Sequence, residues 1–349
     1  MRHRGRLWLR ILGGLVALVM IALLGVYWWA RPLLRTGTGY AAHNACALDT
    51  IAHRGPLTAD LPPNPLVPYL RVGPDPGSYR ATVLGALAGQ NAWGVEGFGC
   101  TLAQNRPDLG KPTWIDPSAN KLSTQATPQA GAALTAALAR AFGDDLDLEA
   151  RDRLGTSGVV VVSNGRIVAE RYAFGFSQGT PQLGWSMAKS VTSLMLGRLV
   201  QQGTVAMSDD HLWPGWSDQR ASITVEDLLR MRSGLAWDET YDLGTPITEM
   251  LYNQPDMAAF VAGQKLAHSP GTVQQYSSGS TTLLCAVLNS RVNQGADLPR
   301  KQLLAQLGVS SAVWEADAVG TPVCSSYLWA TPRDWAAIGQ FALADGVWN

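Results

Sequence analysis

The sequence predicts an α+β fold behind one N-terminal transmembrane helix, and three stretches carry that prediction. Val159-Val160-Val161-Val162-Ser163, Asn164-Gly165 and Arg166-Ile167-Val168-Ala169-Glu170-Arg171-Tyr172 read as a β-hairpin. Asn-Gly supplies the positive φ that a two-residue turn needs, and the four-valine run predicts a strand buried on both faces. From Ser186 onward the chain reads as a succession of helices, and the motifs these carry place them with the hairpin in an α+β domain by resemblance. Residues 11–30 carry no charge; at ~1.5 Å per residue they span about 30 Å, the thickness of a bilayer's hydrocarbon core.

Arg2, Arg4, Arg6 and Arg10 precede that apolar run, and Tyr27, Trp28 and Trp29 form an interfacial belt at its far end. The basic flank predicts an inside amino terminus and an outside body, as for a bacterial inner-membrane anchor with a periplasmic domain. A cleaved signal peptide is the competing reading, but no clean small-x-small site follows the run. The 349 residues are 46% hydrophobic, ample for a sizeable core, and Lys+Arg 27 balances Asp+Glu 27. That balance gives no reason to expect a nucleic-acid partner.

Four cysteines are present, Cys46, Cys100, Cys285 and Cys324. None has C-x-x-C spacing and the five histidines are scattered, so no metal site is expected. Sequence order suggests Cys46–Cys100 and Cys285–Cys324; four reduced, buried cysteines are the alternative. Residues 1–35 read as the anchor and 36–128 as an extracytoplasmic lead-in and linker. Pro62, Pro63, Pro65, Pro68, Pro74 and Pro76 suggest little regular structure there. Residues 129–349 read as the main domain.

At the border of that domain, Thr127-Pro128 resembles an N-cap followed by proline at the first helical position, with Leu134, Ala137, Leu138, Ala141 and Phe142 on one stripe. Thr224 with Asp227 makes a capping-box-like start for 225–232, closed by Gly234. Further helices are expected after Pro255, over 281–292 and 299–307, and from Thr331-Pro332.

The chemistry centres on Gly184-Trp185-Ser186-Met187-Ala188-Lys189-Ser190. Val191, Leu194, Met195 and Leu199 follow at helical spacing, so Ser186 and Lys189 share one helix face, three residues apart. A serine hydroxyl needs a base to take its proton, and a desolvated lysine can serve. Lysine occurs only at 111, 121, 189, 265 and 301, so one inside an apolar helix stands out. S-x-x-K alone is weak: Ser118-Ala119-Asn120-Lys121 matches it too, without apolar periodicity after it. Ninety residues after Ser186, Tyr276-Ser277-Ser278 follows a turn at 268–272. Tyr276 could present its phenol to the serine–lysine pair as base or proton shuttle.

These motifs together resemble the serine β-lactamase-related hydrolases, a family including class C β-lactamases, D-amino-acid-specific peptidases, esterases and 6-aminohexanoate-dimer hydrolase. The resemblance also rests on Ile223-Thr224-Val225-Glu226-Asp227-Leu228-Leu229, Ser233-Gly234-Leu235, Pro270-Gly271-Thr272 and Thr331-Pro332-Arg333-Asp334-Trp335. It covers about residues 155–349, and the wording is most similar to the 6-aminohexanoate-dimer hydrolase branch. It implies a β-lactamase/penicillin-binding-protein-like antiparallel sheet with flanking helices, an all-α subdomain and a site between them. It further implies an acyl-enzyme mechanism on an amide or ester, with Ser186, Lys189 and Tyr276 catalytic, Ser278 in the substrate-binding set and orienting substrate or lysine, and no metal or organic cofactor. A β-lactamase or D,D-peptidase, and a non-catalytic penicillin-binding-like sensor or scaffold, are the alternatives.

Two departures accompany the resemblance. Ser217-Asp218-Gln219 is similar to an S-D-N element but follows Ser186 by only thirty-one positions, so it reads as a loop. The family's K-T-G or H-x-G strand is not found after the last helix; Arg35-Thr36-Gly37 has similar letters beside the anchor. On that ground we expect a hydrolase domain that is C-terminally incomplete, ending before the last strands.

Overall fold

The computed structural model describes residues 2–61 and 64–348. Pro62 and Pro63 of the proline-rich segment, and Asn349, lie outside the described residues, as do the side chains of the arginine flank.

The apolar run is the first half of one helix, α1 (Arg2–Thr50). Its residues 11–26 are exposed, whereas Ala41, Ala42, Ala45, Cys46 and Leu48 are buried. Among the described residues α1 is the helix long and apolar enough to cross a membrane.

The expectation of little regular structure over 36–128 is corrected here, and the boundary at residue 35 falls inside α1. A four-stranded antiparallel sheet follows the helix, built from β1 (Leu70–Asp75), β2 (Ser78–Val83), β3 (Leu87–Val95) and β4 (Gly99–Leu102), in that order. Ala41, Ala42, Cys46 and Ala47 of α1, with Ile51 just after it, pack on Leu70, Ala81, Val83 and Ala92 of the sheet. The strands escaped notice because the inward positions of β3 are Ala88, Gln90 and Ala92. They alternate properly but carry none of the β-branched bulk that marks a strand. The Cys46–Cys100 disulfide joins α1 to β4.

The second part opens with α2 (Ala132–Ala141) and α3 (Leu148–Leu154). The hairpin forms as expected from β5 (Gly158–Ser163) and β6 (Arg166–Tyr172). Its valines are half-buried rather than enclosed on both faces: Val160 and Val162 pack toward Leu122, Ile167 and Ala337. Short strands β7 (Gln182–Leu183), β8 (Val313–Trp314) and β9 (Leu328–Ala330) make a third sheet in the order β7-β9-β8.

The helices between are α4 (Met187–Gln201), α5 (Val225–Leu229), α6 (Pro246–Asn253), α7 (Met257–Ala262) and α8 (Ser278–Val292). After them come α9 (Ala305–Leu307) and α10 (Pro332–Leu343). The capping box of Thr224 and Asp227 is present in full. Met195, Leu199, Leu228, Met250, Leu251, Leu284 and Leu288 form the shared core of these helices, and the Cys285–Cys324 disulfide ties α8 to the loop before β9.

Two polar clusters join the layers. Glu315, fully buried, lies 2.7 Å from Nε2 of His43 on α1 and accepts from the Cys100 amide and the Trp329 indole. Asp334 accepts from Asn120 Nδ2 at 2.6 Å and from the Ser311 hydroxyl at 2.6 Å. Burial raises the Asp334 pKa. A buried polar group without such partners would be costly, so these clusters fix how α1 and α10 seat on the rest.

Candidate active site

Ser186 is the N-cap of α4 and is exposed. Trp185 before it holds a φ of 43°, a left-handed conformation rare for a bulky residue and a common mark of functional turns. Gly184 makes that turn possible: a Cβ there would lie 2.3 Å from the Trp335 ring, and Trp335 also donates its indole N–H to the Gln182 carbonyl. The amides of Met187, Ala188 and Lys189 are engaged by the carbonyls of Gly184, Trp185 and Ser186. Among the described residues the Ser186 amide has no such acceptor and stays free to donate to a bound group.

Lys189 is buried one helical turn on, and its Nζ meets three oxygens. These are Ser186 Oγ at 3.1 Å, Ser278 Oγ at 2.9 Å and the Ser325 carbonyl at 2.9 Å. Ser278 Oγ donates in turn to Glu239 Oε1, and the Ser278 amide and Trp237 indole donate to Glu239 Oε2. Trp237 approaches α8 so closely that a Cβ on Gly279 would sit 2.7 Å from its ring. Tyr276 covers the amine with its ring face, the centroid 4.9 Å from Nζ, a cation–π arrangement.

Burial lowers the Lys189 pKa, while Tyr276 and Glu239 oppose that shift. The inventory of donors then fixes the direction of any proton transfer. A neutral amine keeps two N–H groups and one lone pair. The Ser325 carbonyl can only accept, and Ser278 has its proton on Glu239. Ser186 is therefore the partner that can donate to the lone pair.

The β-lactamase family model matches residues 123–346, more than half of the chain. The chain belongs to the β-lactamase family. Protein flp of Staphylococcus aureus is 24% identical over 153 residues, 40% of this chain and 30% of that protein's length. A Bacillus anthracis structure described as a 6-aminohexanoate-dimer hydrolase has 22% identity and a TM-score of 0.50, covering 70% of this chain and 66% of that one. A class C β-lactamase aligns at 17% identity over 63% of this chain and 68% of that one, with a TM-score of 0.46. The chain thus spans 30% of the length of protein flp and 66% of that of the Bacillus anthracis protein, and the family model with the likeness to the latter structure shows the β-lactamase-like α+β fold.

Within this β-lactamase-family fold the structure brings Ser186, Lys189, Tyr276 and Ser278 together. Ser278, expected to orient substrate or lysine, is fully buried at the start of α8 with its hydroxyl between Lys189 and Glu239. Its placement is that of a group orienting the lysine. The second S-x-x-K is dispersed: Ser118 is exposed, and Asn120 is buried on Asp334. Asp218 of the Ser217-Asp218-Gln219 loop caps a short 3-10 turn. Arg35-Thr36-Gly37 is helical, yet Thr36 lines the same cavity as Ser186, with its hydroxyl bonded to the Leu33 carbonyl.

Sequence reasoning missed Glu239 and the Ser325 carbonyl. A Trp-Asp-Glu string in a loop was the visible signal for Glu239. A backbone carbonyl leaves none.

Proposed function

We propose that this chain is a membrane-anchored serine hydrolase that cleaves an amide or ester through an acyl-enzyme. In motif wording it is similar to the 6-aminohexanoate-dimer hydrolases. The observation that carries the reading is the three-oxygen seat of Lys189, which leaves Ser186 as the donor to a neutral amine. Ser186 Oγ attacks the carbonyl as its proton passes to Lys189, and the Ser186 amide receives the oxyanion. The proton goes on to the leaving alcohol or amine, with Tyr276 beside its path. Water then cleaves the acyl-enzyme by the same route in reverse. Ser278 and Glu239 act as positioning residues.

An extracytoplasmic location is supported by both disulfides, which persist in oxidising compartments. The periplasmic side of a bacterial inner membrane is the compartment we propose. Anchoring is supported by α1, which runs as one helix from the exposed apolar segment into the core.

A fluorophosphonate probe is expected to label the protein once, on the peptide that bears Ser186, as read by mass spectrometry. Label on another residue, or none, would overturn the reading. A second measurement concerns the base. A lysine acting as base works when deprotonated, so kcat/KM should rise with pH through a midpoint below 10.5, the ordinary lysine value. Glu239→Gln removes a charge that holds the proton on Lys189, and the rising limb should move to lower pH. A limb unmoved by Glu239→Gln would remove Glu239 from the network.

A further inference from the structure

The cavity that reaches Ser186 has a volume of about 780 Å³, toward the upper end of the ~300–1,000 Å³ usual for small-molecule sites. Its walls come from α1, from the segment before β1, and from the loop and helix around α6. Leu33, Tyr40, Leu66, Leu243 and Tyr252 face it, with Trp185 beside the nucleophile. The threonine hydroxyls in the wall are already engaged. Thr36 donates to the Leu33 carbonyl, and Thr248 to the carbonyls of Asp242 and Thr245. The wall therefore offers a substrate mostly hydrocarbon and aromatic surface.

The position of this wall along α1 is as informative as its composition. Trp28 and Trp29 are 63% and 84% exposed at the end of the apolar run, where aromatic belts sit at a bilayer surface. Leu33, 43% exposed, follows Trp29 by four residues, about 6 Å along the helix. The same helix that would enter the bilayer thus forms, one turn later, a wall of the catalytic cavity. A polar substrate arriving from water gains little from such a wall. A hydrocarbon chain gains roughly fourfold in binding per buried methylene.

We propose that the substrate is an ester or amide of a long-chain acyl group held in the bilayer, its chain lying along the α1 wall and its carbonyl at Ser186. The proposal rests on the serine-hydrolase reading. Ser186 Oγ forms the new ester to the acyl carbon, and the bond to the leaving alcohol or amine breaks. That group departs with the proton taken from Ser186. Water then releases the fatty acid and restores the hydroxyl.

The test uses the protein in phosphatidylcholine vesicles with p-nitrophenyl acetate, butyrate and octanoate, each below its critical micelle concentration. From acetate to octanoate kcat/KM is expected to rise at least about 100-fold, well inside the allowance of roughly fourfold per methylene. Leu33→Asp and Leu66→Asp place a charge on the wall and should each lower the octanoate-to-acetate ratio at least about tenfold. A flat or falling series, in a protein that hydrolyses acetate and labels at Ser186, overturns the substrate class and leaves the serine hydrolase standing. A rise untouched by both variants overturns the cavity assignment. No turnover of any ester together with no label overturns the hydrolase reading itself.

Discussion

Lys189→Ala will lower kcat for ester hydrolysis by on the order of 10³-fold or more, and Ser186→Ala by at least as much. The double variant should lose little beyond either single change, because nucleophile and base act as one unit and their effects do not add. The geometry explains why lysine matters so much here. Its amine is the group that meets Ser186 Oγ, at 3.1 Å, while Ser278 and Ser325 hold it from behind. Alanine removes the base and leaves the Ser278 hydroxyl facing the vacated space. The loss should therefore appear in kcat more than in KM. Ser118→Ala, at the exposed copy of the motif, should leave turnover intact. Steady-state kinetics on a soluble p-nitrophenyl ester checks all four proteins. A Lys189→Ala enzyme within about tenfold of the parent would mean that another group takes the Ser186 proton.

What could be read in the sequence was whatever the chain encodes locally. The Asn164-Gly165 turn, the Thr224–Asp227 capping box and the helical spacing from Ser186 to Lys189 each involve residues a few positions apart. Each is recovered in the structure. Tyr276 and Ser278 were found at long range only because they travel in a short motif. Glu239 has no such companion: it reaches Ser278 across thirty-nine positions, and a carboxylate in a loop looks like surface. The sheet of β1–β4 was lost for a different reason. The inward residues of β3, the strand that α1 packs on, are Ala88, Gln90 and Ala92, so its alternation lacks the bulky residues that would announce a strand. The hairpin was legible but its burial was not, since four valines say nothing about what packs over each face of the strand.

The second large effect concerns stability, and it sits in the Thr331–Trp335 motif. Arg333→Ala is expected to destabilise the fold by about 3 kcal/mol, the low end of what breaking a buried ion pair costs. For a domain of this size that lowers Tm by about 6–12 °C. Arg333 and Glu170 have side chains only 8% and 6% exposed. They pair through two bonds, Nε to Oε2 at 2.9 Å and Nη2 to Oε1 at 2.6 Å. Arg333 also donates to the carbonyls of Ser123 and Gln125, so one side chain joins α10, the hairpin and the segment before α2. Removing it strands a buried carboxylate. The low end is chosen because the hydroxyls of Thr127 and Tyr172 still donate to Glu170. The pair also predicts an acid limb. Hydrogen bonding by Arg333 holds the Glu170 pKa at about 2, against an ordinary 4.5. Between those values the unfolded chain binds a proton that the folded chain refuses. Stability must fall as pH drops from about 4.5 toward 2. Arg333→Ala should flatten that limb as well as lower the plateau, and melting curves between pH 2 and 7 measure both. A variant that melts with the parent at neutral pH would show that the hairpin and α10 are held together by the apolar contacts of Leu122, Ile167 and Ala337 alone.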